Sequence, residues 1–283
     1  MSSVLFDAPG PKARARYRIF GVVTALVIIA VVGFVILRFA QSGQFDAKKW
    51  QLFTFPLVQQ TIVQSVGATL SAFATAAVLS LALGVLLAFG RLSDRKWISL
   101  PCYGFTELFR AIPLLILMMI FYYGLPPLGV QITPFTAVVA GLVLYNGSVL
   151  AEVFRAGIES LPRGQSEAGY AIGLPKSAVM TNILLPQAVR SMLPVIISQL
   201  VVILKDTALG FIVTYNEILF QAKYFGSQAQ YGSPIIPSAI IAGGLYVGMC
   251  LILAGIAKWL EGRMRRSLKV VKVAKPEIVA VEG

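Results

Sequence analysis

Residues 152–188 read EVFRAGIESLPRGQSEAGYAIGLPKSAVMTNILLPQA. This stretch is too polar to cross a bilayer, but its spaced turn signals are typical of folded structure rather than of a plain linker. Ser166 is placed to cap a short helix that starts at Glu167, where an acidic side chain in the first turn is favourable. Gly173, followed by a leucine and a proline, is placed to end that helix. The sequence therefore predicts a short helix inside a polar loop.

The predicted loop helix carries little bulk, because Ala168, Gly169 and Ala171 all have small side chains or none. A short, bare helix between two turns suits close docking into a groove of another protein. The glycine at position 169 is expected to loosen the helix by up to ~1 kcal/mol relative to alanine. These residues are therefore candidates for contact with a partner.

The rest of the chain is mostly apolar: 57% of the 283 residues are hydrophobic, 13% are charged and the mean hydropathy is +0.80. A soluble domain has about 25% charged residues, so lipid must cover part of this surface. The pattern predicts an all-α, polytopic membrane protein with about six transmembrane helices in a single domain. The predicted segments are a terminal stretch 1–17, a transmembrane domain 18–263 with spans 18–39, 65–90, 102–124, 134–154, 191–213 and 235–258, an outer interfacial stretch 50–64, a loop 155–190 and a tail 264–283.

The distribution of positive charge predicts which side of the membrane the loop occupies. With six spans, both termini and the loop fall on one side, where segments 1–18, 91–96, 155–190 and 258–283 hold 18 of the 24 Lys and Arg residues. Cytoplasmic segments carry such an excess. We expect a multi-pass protein of the plasma (inner) membrane with both termini in the cytoplasm and a peripheral tail.

The composition gives no support to several function classes. The chain has no histidine, and its two cysteines, Cys102 and Cys250, lie far apart in apolar sequence. Neither a metal site nor a catalytic triad can be built from these residues, so we expect no enzyme activity and no cofactor in this chain. The sequence has no GxxxxGK[ST] phosphate-binding loop, and its basic ends lack the features of a nucleic-acid groove.

Charged residues near the inner ends of the predicted spans are candidates for a substrate pathway, because charges in spans either pair or line a wet path. Glu107 and Arg110 share a helix face, as do Glu152 and Arg155, since the members of each pair are three residues apart. The alternatives are local ion pairs that hold spans together, or arginine side chains that extend to the membrane interface.

A second group of pathway candidates lies deeper in the membrane. Lys205 is about 28 Å beyond Pro186 if the chain between them is helical, which places it and Asp206 in the outer half of the bilayer. Each of these two charges is a candidate for a gate, a substrate contact or a structural ion pair. Asn146 and the two small residues after it either line the pore or form a helix-packing patch.

The spacing within the loop matches a known motif. Glu167-Ala168-Gly169, then Gly173, then Ile183-x-Leu-Pro186 resembles the EAA loop of bacterial ABC importer permeases, in which alanine usually stands at the position of Gly169. Further segments are similar to the polar amino-acid group of that family, which handles histidine, glutamine, arginine or glutamate. These segments are Glu107-Leu-Phe-Arg110, Glu152-Val-Phe-Arg155 and Leu204-Lys-Asp-Thr207, and the resemblance covers residues 61–263.

The resemblance implies a type I ABC importer permease-like bundle whose pore is formed by two permease subunits, the same or different chains. It also implies cytoplasmic ABC ATPase subunits that hold ATP and Mg, and an extracellular or periplasmic amino-acid-binding protein. Contact with the ATPase is implied for Ser166, Glu167, Ala168, Gly169, Gly173, Ile183 and Pro186.

Two features favour glutamate as the amino acid that is carried. The first predicted span looks like an addition that some glutamate-type permeases have, and the cation Lys205 would favour an acidic substrate. The alternative function is an ion-coupled secondary amino-acid transporter, whose support is the set of charges at Glu107, Arg110, Lys205 and Asp206.

Overall fold

A computed structural model describes residues 10–266, and within that range the backbone is helical with no strand. Five helices, plus one bent pair, are long and apolar enough to cross a bilayer, which confirms the predicted all-α, polytopic membrane fold. The helices are α1 Pro11–Gln41, α2 Ala47–Gln51, α3 Pro56–Arg91, α4 Lys96–Ala111, α5 Leu114–Met119, α6 Pro134–Glu159, α7 Arg163–Ala171, α8 Lys176–Ala178, α9 Leu185–Asp206, α10 Ile218–Gly226 and α11 Ile235–Arg266.

The two predicted terminal segments fall partly outside the described residues. The segment 1–17 is described only from residue 10, and its last seven residues belong to α1. The tail 264–283 is described only as far as Arg266, where α11 ends. The prediction of a peripheral tail from residue 267 onward therefore lies outside the described residues.

Helix α1 has no buried residue along its 31 residues. At 1.5 Å per residue it is about 46 Å long, which exceeds the roughly 30 Å hydrocarbon core. Its apolar side chains are exposed all the way round, including Ile29 and Phe34. The helix therefore contributes nothing to the core of its own chain and leaves its whole apolar surface to lipid or to another chain.

The close approach of α3 and α6 forms the centre of the bundle. A Cβ atom at Gly84 on α3 would lie 2.8 Å from the Cβ of Leu150 on α6, and one at Gly147 would lie 2.8 Å from Cδ2 of Leu83. Small residues at such crossings let helix backbones approach closely in a membrane. Asn146 and Ser148 are fully buried beside Gly147, so this segment packs helices together and does not face a free surface of the subunit.

The predicted third span, 102–124, is not one straight helix. Helix α4 and the segment Leu114–Gly124 are bent by 97° relative to each other. Ile112 (φ −84°, ψ 126°) and Pro113 (φ −56°, ψ 133°) are extended between them. A proline disfavours the helical conformation for the residue before it. The prediction of one continuous span over 102–124 overlooked Pro113.

The other helices extend beyond the predicted spans. Residues 56–64, which the sequence placed in an interfacial stretch, belong to α3, because Pro56 occupies the first turn, where its missing N–H costs nothing. Helix α9 continues through Lys205 and Asp206 and is followed by a 3-10 helix, Thr207–Val213, as the predicted fifth span required. Helix α11 begins at Ile235, as predicted, and extends eight residues past 258.

Candidate functional site

The loop helix α7 begins earlier than its sequence predicts. It starts at Arg163 after an extended Pro162, whose carbonyl oxygen accepts the first-turn bond from Gln165 N at 3.0 Å. Ser166 lies inside the helix, and its hydroxyl donates to the carbonyl of Arg163 at 2.8 Å. The predictions that Ser166 caps the helix and that Glu167 stands in the first turn are therefore wrong, because the preceding proline already sets the entry into the helix.

The end of α7 follows the prediction. Gly173 has a φ of +80°, the left-handed conformation that glycine adopts without strain. Its N–H donates to the carbonyl of Tyr170 at 2.9 Å, and the N–H of Leu174 donates to that of Gly169 at 3.1 Å. This pair of bonds is a Schellman motif, which satisfies two carbonyl groups at the helix end. Gly173 therefore terminates α7.

Gly169 is buried where α7 packs against the following segment of its own chain, a π-helical turn at Val179–Leu184. A Cβ atom at position 169 would lie 2.8 Å from Cγ2 of Val179 and 2.9 Å from Cδ1 of Ile183. Glycine in place of the usual alanine therefore lets α7 pack closely on this turn. The sequence analysis predicted only that the glycine loosens the helix and missed this contact. Pro186, two residues into α9, carries the chain from this turn into the next span.

The residues of α7 around Gly169, and the residue that follows the helix, are exposed. Glu167, Ala168 and Ala171 all lie at the surface. Two large apolar residues join them: Tyr170 is 47% exposed and Ile172 is 76% exposed. We call these five residues the exposed α7 face. The sequence analysis had not singled out Tyr170 and Ile172, although a tyrosine and an isoleucine stand out among the small and polar residues of the loop.

The charged pathway candidates form one ion-pair cluster at the end of the bundle that carries α7. Arg110 Nη1 lies 3.3 Å from Glu107 Oε1, and Arg155 Nη2 lies 2.5 Å from Glu152 Oε1. Both predicted pairings along the helix are therefore present. Arg91 on α3, which the sequence analysis did not select, joins the two pairs, because its Nη1 lies 2.9 Å from Glu152 Oε2 and 3.7 Å from Glu107 Oε1.

The deeper candidates are separated from this cluster and from one another. Asn146 accepts a bond from Gln199 Nε2 at 2.7 Å and donates to the carbonyl of Leu142 at 3.0 Å, so both the oxygen and the nitrogen of its amide are bonded inside the subunit. Lys205 is exposed in a groove of about 480 Å³ between α9 and α11, whereas Asp206 is half-buried. Among the described residues, no carboxylate lies within ion-pair distance of Lys205.

A buried carboxylate at the opposite end of the bundle had no sequence signal beyond its type. Glu217 is fully buried and caps α10, where its oxygens accept from Leu219 N at 2.7 Å and Phe220 N at 2.6 Å. The hydroxyl of Tyr246 on α11 also donates to it at 2.7 Å. Glu217 lies in the segment that connects the span ending at Val213 to the span beginning at Ile235. Burial raises the pKa of its carboxyl group. Glu217 therefore ties α10 to α11.

Comparison with known proteins shows the family. Residues 80–266 match the family described as "Binding-protein-dependent transport system inner membrane component". The chain belongs to this family of permeases. The permease is 39% identical over 240 residues to the glutamate transport system permease protein GluD of Corynebacterium glutamicum, an alignment that covers 82% of this chain and 87% of the relative. It is 33% identical to the arginine transport system permease protein ArtQ of Bacillus subtilis, over 72% of this chain and 92% of the relative.

A solved structure agrees with these relatives. The permease matches a chain of an amino acid ABC transporter crystallised with histidines, with a TM-score of 0.66 and 28% identity, over 72% of this chain and 94% of that chain. The chain is thus the membrane-embedded permease of an ABC amino-acid importer. This membership decides against the alternative of an ion-coupled secondary transporter.

Proposed function

We propose that this permease carries glutamate, and that its exposed α7 face receives the movement of a separate ATPase. The polar amino-acid class rests on the similarity to glutamate and arginine permeases, whereas glutamate rests on the similarity to a glutamate permease over 82% of the chain. The observation that carries the coupling proposal is the two-sided build of α7. One side packs tightly on its own chain at Gly169, and the other is left open with Tyr170 and Ile172 exposed.

This build suits a helix that transmits force. A partner that grips the exposed α7 face moves the whole helix, because the Schellman motif and the proline-defined entry fix both of its ends. The contact between Gly169 and the turn at Val179–Leu184 passes that movement to α9. Helix α9 is a spanning helix, so a displacement of α7 changes the position of a wall of the bundle.

The distribution of positive charge along the chain indicates which end of the permease meets each partner. The excess of Lys and Arg at the α7 end supports a cytoplasmic location for this end and for both termini, in a plasma membrane. ATP and Mg then belong to the ATPase subunits that meet α7. The other end faces the binding protein, and a second permease, identical or different, completes the pore.

The pathway candidates divide into two roles under this proposal. Glu107, Arg110, Glu152 and Arg155 neutralise one another in the ion-pair cluster and border the inner mouth of the pathway. Lys205 on α9, which pairs with no carboxylate among the described residues, attracts the second carboxylate of an acidic amino acid, with Asp206 beside it. Asn146 acts indirectly, because its amide holds Gln199 in place.

Reconstituted transport tests both parts of the proposal. The permease is purified with its ATPase subunits, placed in liposomes with its binding protein, and assayed with labelled glutamate, glutamine and arginine. Glutamate is expected to be taken up fastest and only with ATP; faster uptake of glutamine or arginine would refute the substrate assignment. Glu167→Ala and Gly173→Leu are expected to lower uptake per ATP hydrolysed, and normal coupling in both variants would refute the role of α7.

A further inference from the structure

Arg91 occupies a position where three helices meet. It is the last residue of α3, and only 8% of its side chain is exposed. Its guanidinium contacts Glu152 on α6 and Glu107 on α4, and its central carbon lies 5.2 Å from the ring centroid of Tyr103, also on α4. Glu107 and Glu152 each also pair with an arginine on their own helix, so Arg91 is the cation that joins the two pairs across helices.

The contacts of Arg91 lead directly to the loop of residues 155–190 that carries α7, which we call the coupling loop. Glu152 also binds Arg155, and Arg155 pairs with Glu159, which is the last residue of α6. Helix α7 begins four residues later, at Arg163. A second link joins the turn before α4 to α8, since Lys176 Nζ lies 2.5 Å from Asp94 Oδ1, but both side chains are exposed and the pair is correspondingly weak.

Helices α4 and α5 are joined by a short non-helical segment. The two meet at a 97° bend, where Ile112 and Pro113 are extended. A few non-helical residues of this kind can absorb the φ and ψ changes of a hinge. The segment beyond the bend contacts the other part of the bundle, because the Tyr123 hydroxyl donates to the carbonyl of Ile212 at 3.0 Å and Met118 is buried against Gly141, which lies in the first third of α6.

We propose that Arg91 is a positioning residue that makes α4 move with the coupling loop, with Ile112 and Pro113 as the pivot. The inner ends of α3, α4 and α6 then form one unit whose movement α7 directs, while α5 follows the first third of α6 and the 3-10 helix Thr207–Val213. This inference rests on the proposed coupling through α7. It extends the path of that coupling from α9 to a second wall of the bundle.

The first test measures the number of amino-acid molecules transported per ATP hydrolysed by the reconstituted complex. Arg91→Ala is expected to keep ATP hydrolysis but to lower this ratio about five-fold or more, as the loss of coupling between linked sites does. Arg91→Lys, which keeps a charge without the planar fork, is expected to fall between Arg91→Ala and the wild type. Arg95→Ala removes an exposed cation from the adjacent turn and serves as the matched control, with an unchanged ratio.

A second substitution keeps the test decisive if Arg91→Ala assembles poorly. Arg91→Met keeps most of the side-chain volume against Tyr103 but not the charge, and it is expected to lower the ratio as Arg91→Ala does, whereas Arg91→Lys retains part of it. If Arg91→Ala lowers hydrolysis and transport in equal proportion, Arg91 is merely structural and the inference is wrong. A wild-type complex without ATP-driven uptake would instead refute the proposed function itself.

A distance measurement tests the movement directly. Spin labels are attached at Trp97→Cys on α4 and Ser177→Cys on α8, two exposed positions, after Cys102 and Cys250 have been replaced by alanine. The distance between the labels is expected to stay constant when ATP is trapped in the wild-type complex and to change in Arg91→Ala. A distance that changes equally in both proteins would show that Arg91 does not join α4 to the loop.

Discussion

Replacing Gly169 by alanine tests the close contact beneath α7. The added Cβ would lie 2.8 Å from Val179 Cγ2, and an ordinary contact begins near 3.4 Å, so Val179 or the helix must shift by about 0.6 Å. Overpacking of this kind costs roughly 1–3 kcal/mol, while alanine regains about 1 kcal/mol of helix propensity. We therefore expect Gly169→Ala to destabilise the docked position of α7 by about 0–2 kcal/mol.

The matched control is Gly164→Ala on the same helix. A Cβ at position 164 meets no atom within 4 Å, so this variant gains the propensity without the clash. The difference between the two variants isolates the packing cost of roughly 1–3 kcal/mol. It is measured as thermal stability of the purified complex and as glutamate transported per ATP, and both quantities are expected to be lower in Gly169→Ala.

The result that would refute this reasoning is specific. If Gly169→Ala matched Gly164→Ala in stability and in coupling, the contact with Val179 and Ile183 would not restrict α7. The larger Gly169→Val would then also be tolerated. A graded loss from alanine to valine, with Gly164→Ala unaffected, supports the view that α7 passes its movement through this contact.

Three further outcomes are expected. Gly84→Leu should separate α3 from α6 and lower the melting temperature sharply, whereas Gly67→Leu on the same helix, where a Cβ meets nothing within 4 Å, should be nearly neutral; equal melting temperatures would contradict the packing. Glu217→Ala should cost about 2–4 kcal/mol of stability, because two N–H groups and a hydroxyl lose their buried acceptor, and a stability change below 1 kcal/mol in chemical denaturation would argue against it. Lys205→Ala should raise the KM for glutamate more than that for glutamine, so an equal change in both would remove the charge argument.

Sequence reasoning succeeded where the signal is local or repeated. Apolar runs of sufficient length predict spanning helices because the bilayer requires both length and internal hydrogen bonding. Gly173 was identified as the end of α7 because few residues other than glycine adopt a positive φ without strain. The pairs Glu107 with Arg110 and Glu152 with Arg155 were predicted because a spacing of three residues places side chains on one helix face.

The misses have physical causes of their own. Ser166 was predicted to cap the helix because of its residue type, but the helix begins earlier, at Arg163, directly after Pro162. The bend at Pro113 was overlooked because the surrounding residues are as apolar as a continuous span. Arg91 and Glu217 escaped notice because their partners, Glu107, Glu152 and Tyr246, are distant in sequence and come together only in the folded chain.

The sequence by itself determined the class of protein, the polar loop between two apolar stretches and the residue that ends its helix, since each depends on short-range pattern or backbone conformation. Tertiary structure alone decided which side of α7 is buried, how Asn146 is used and which charges meet at Arg91. Those outcomes depend on contacts between segments far apart in the chain, and no local pattern specifies which side chain will lie opposite another.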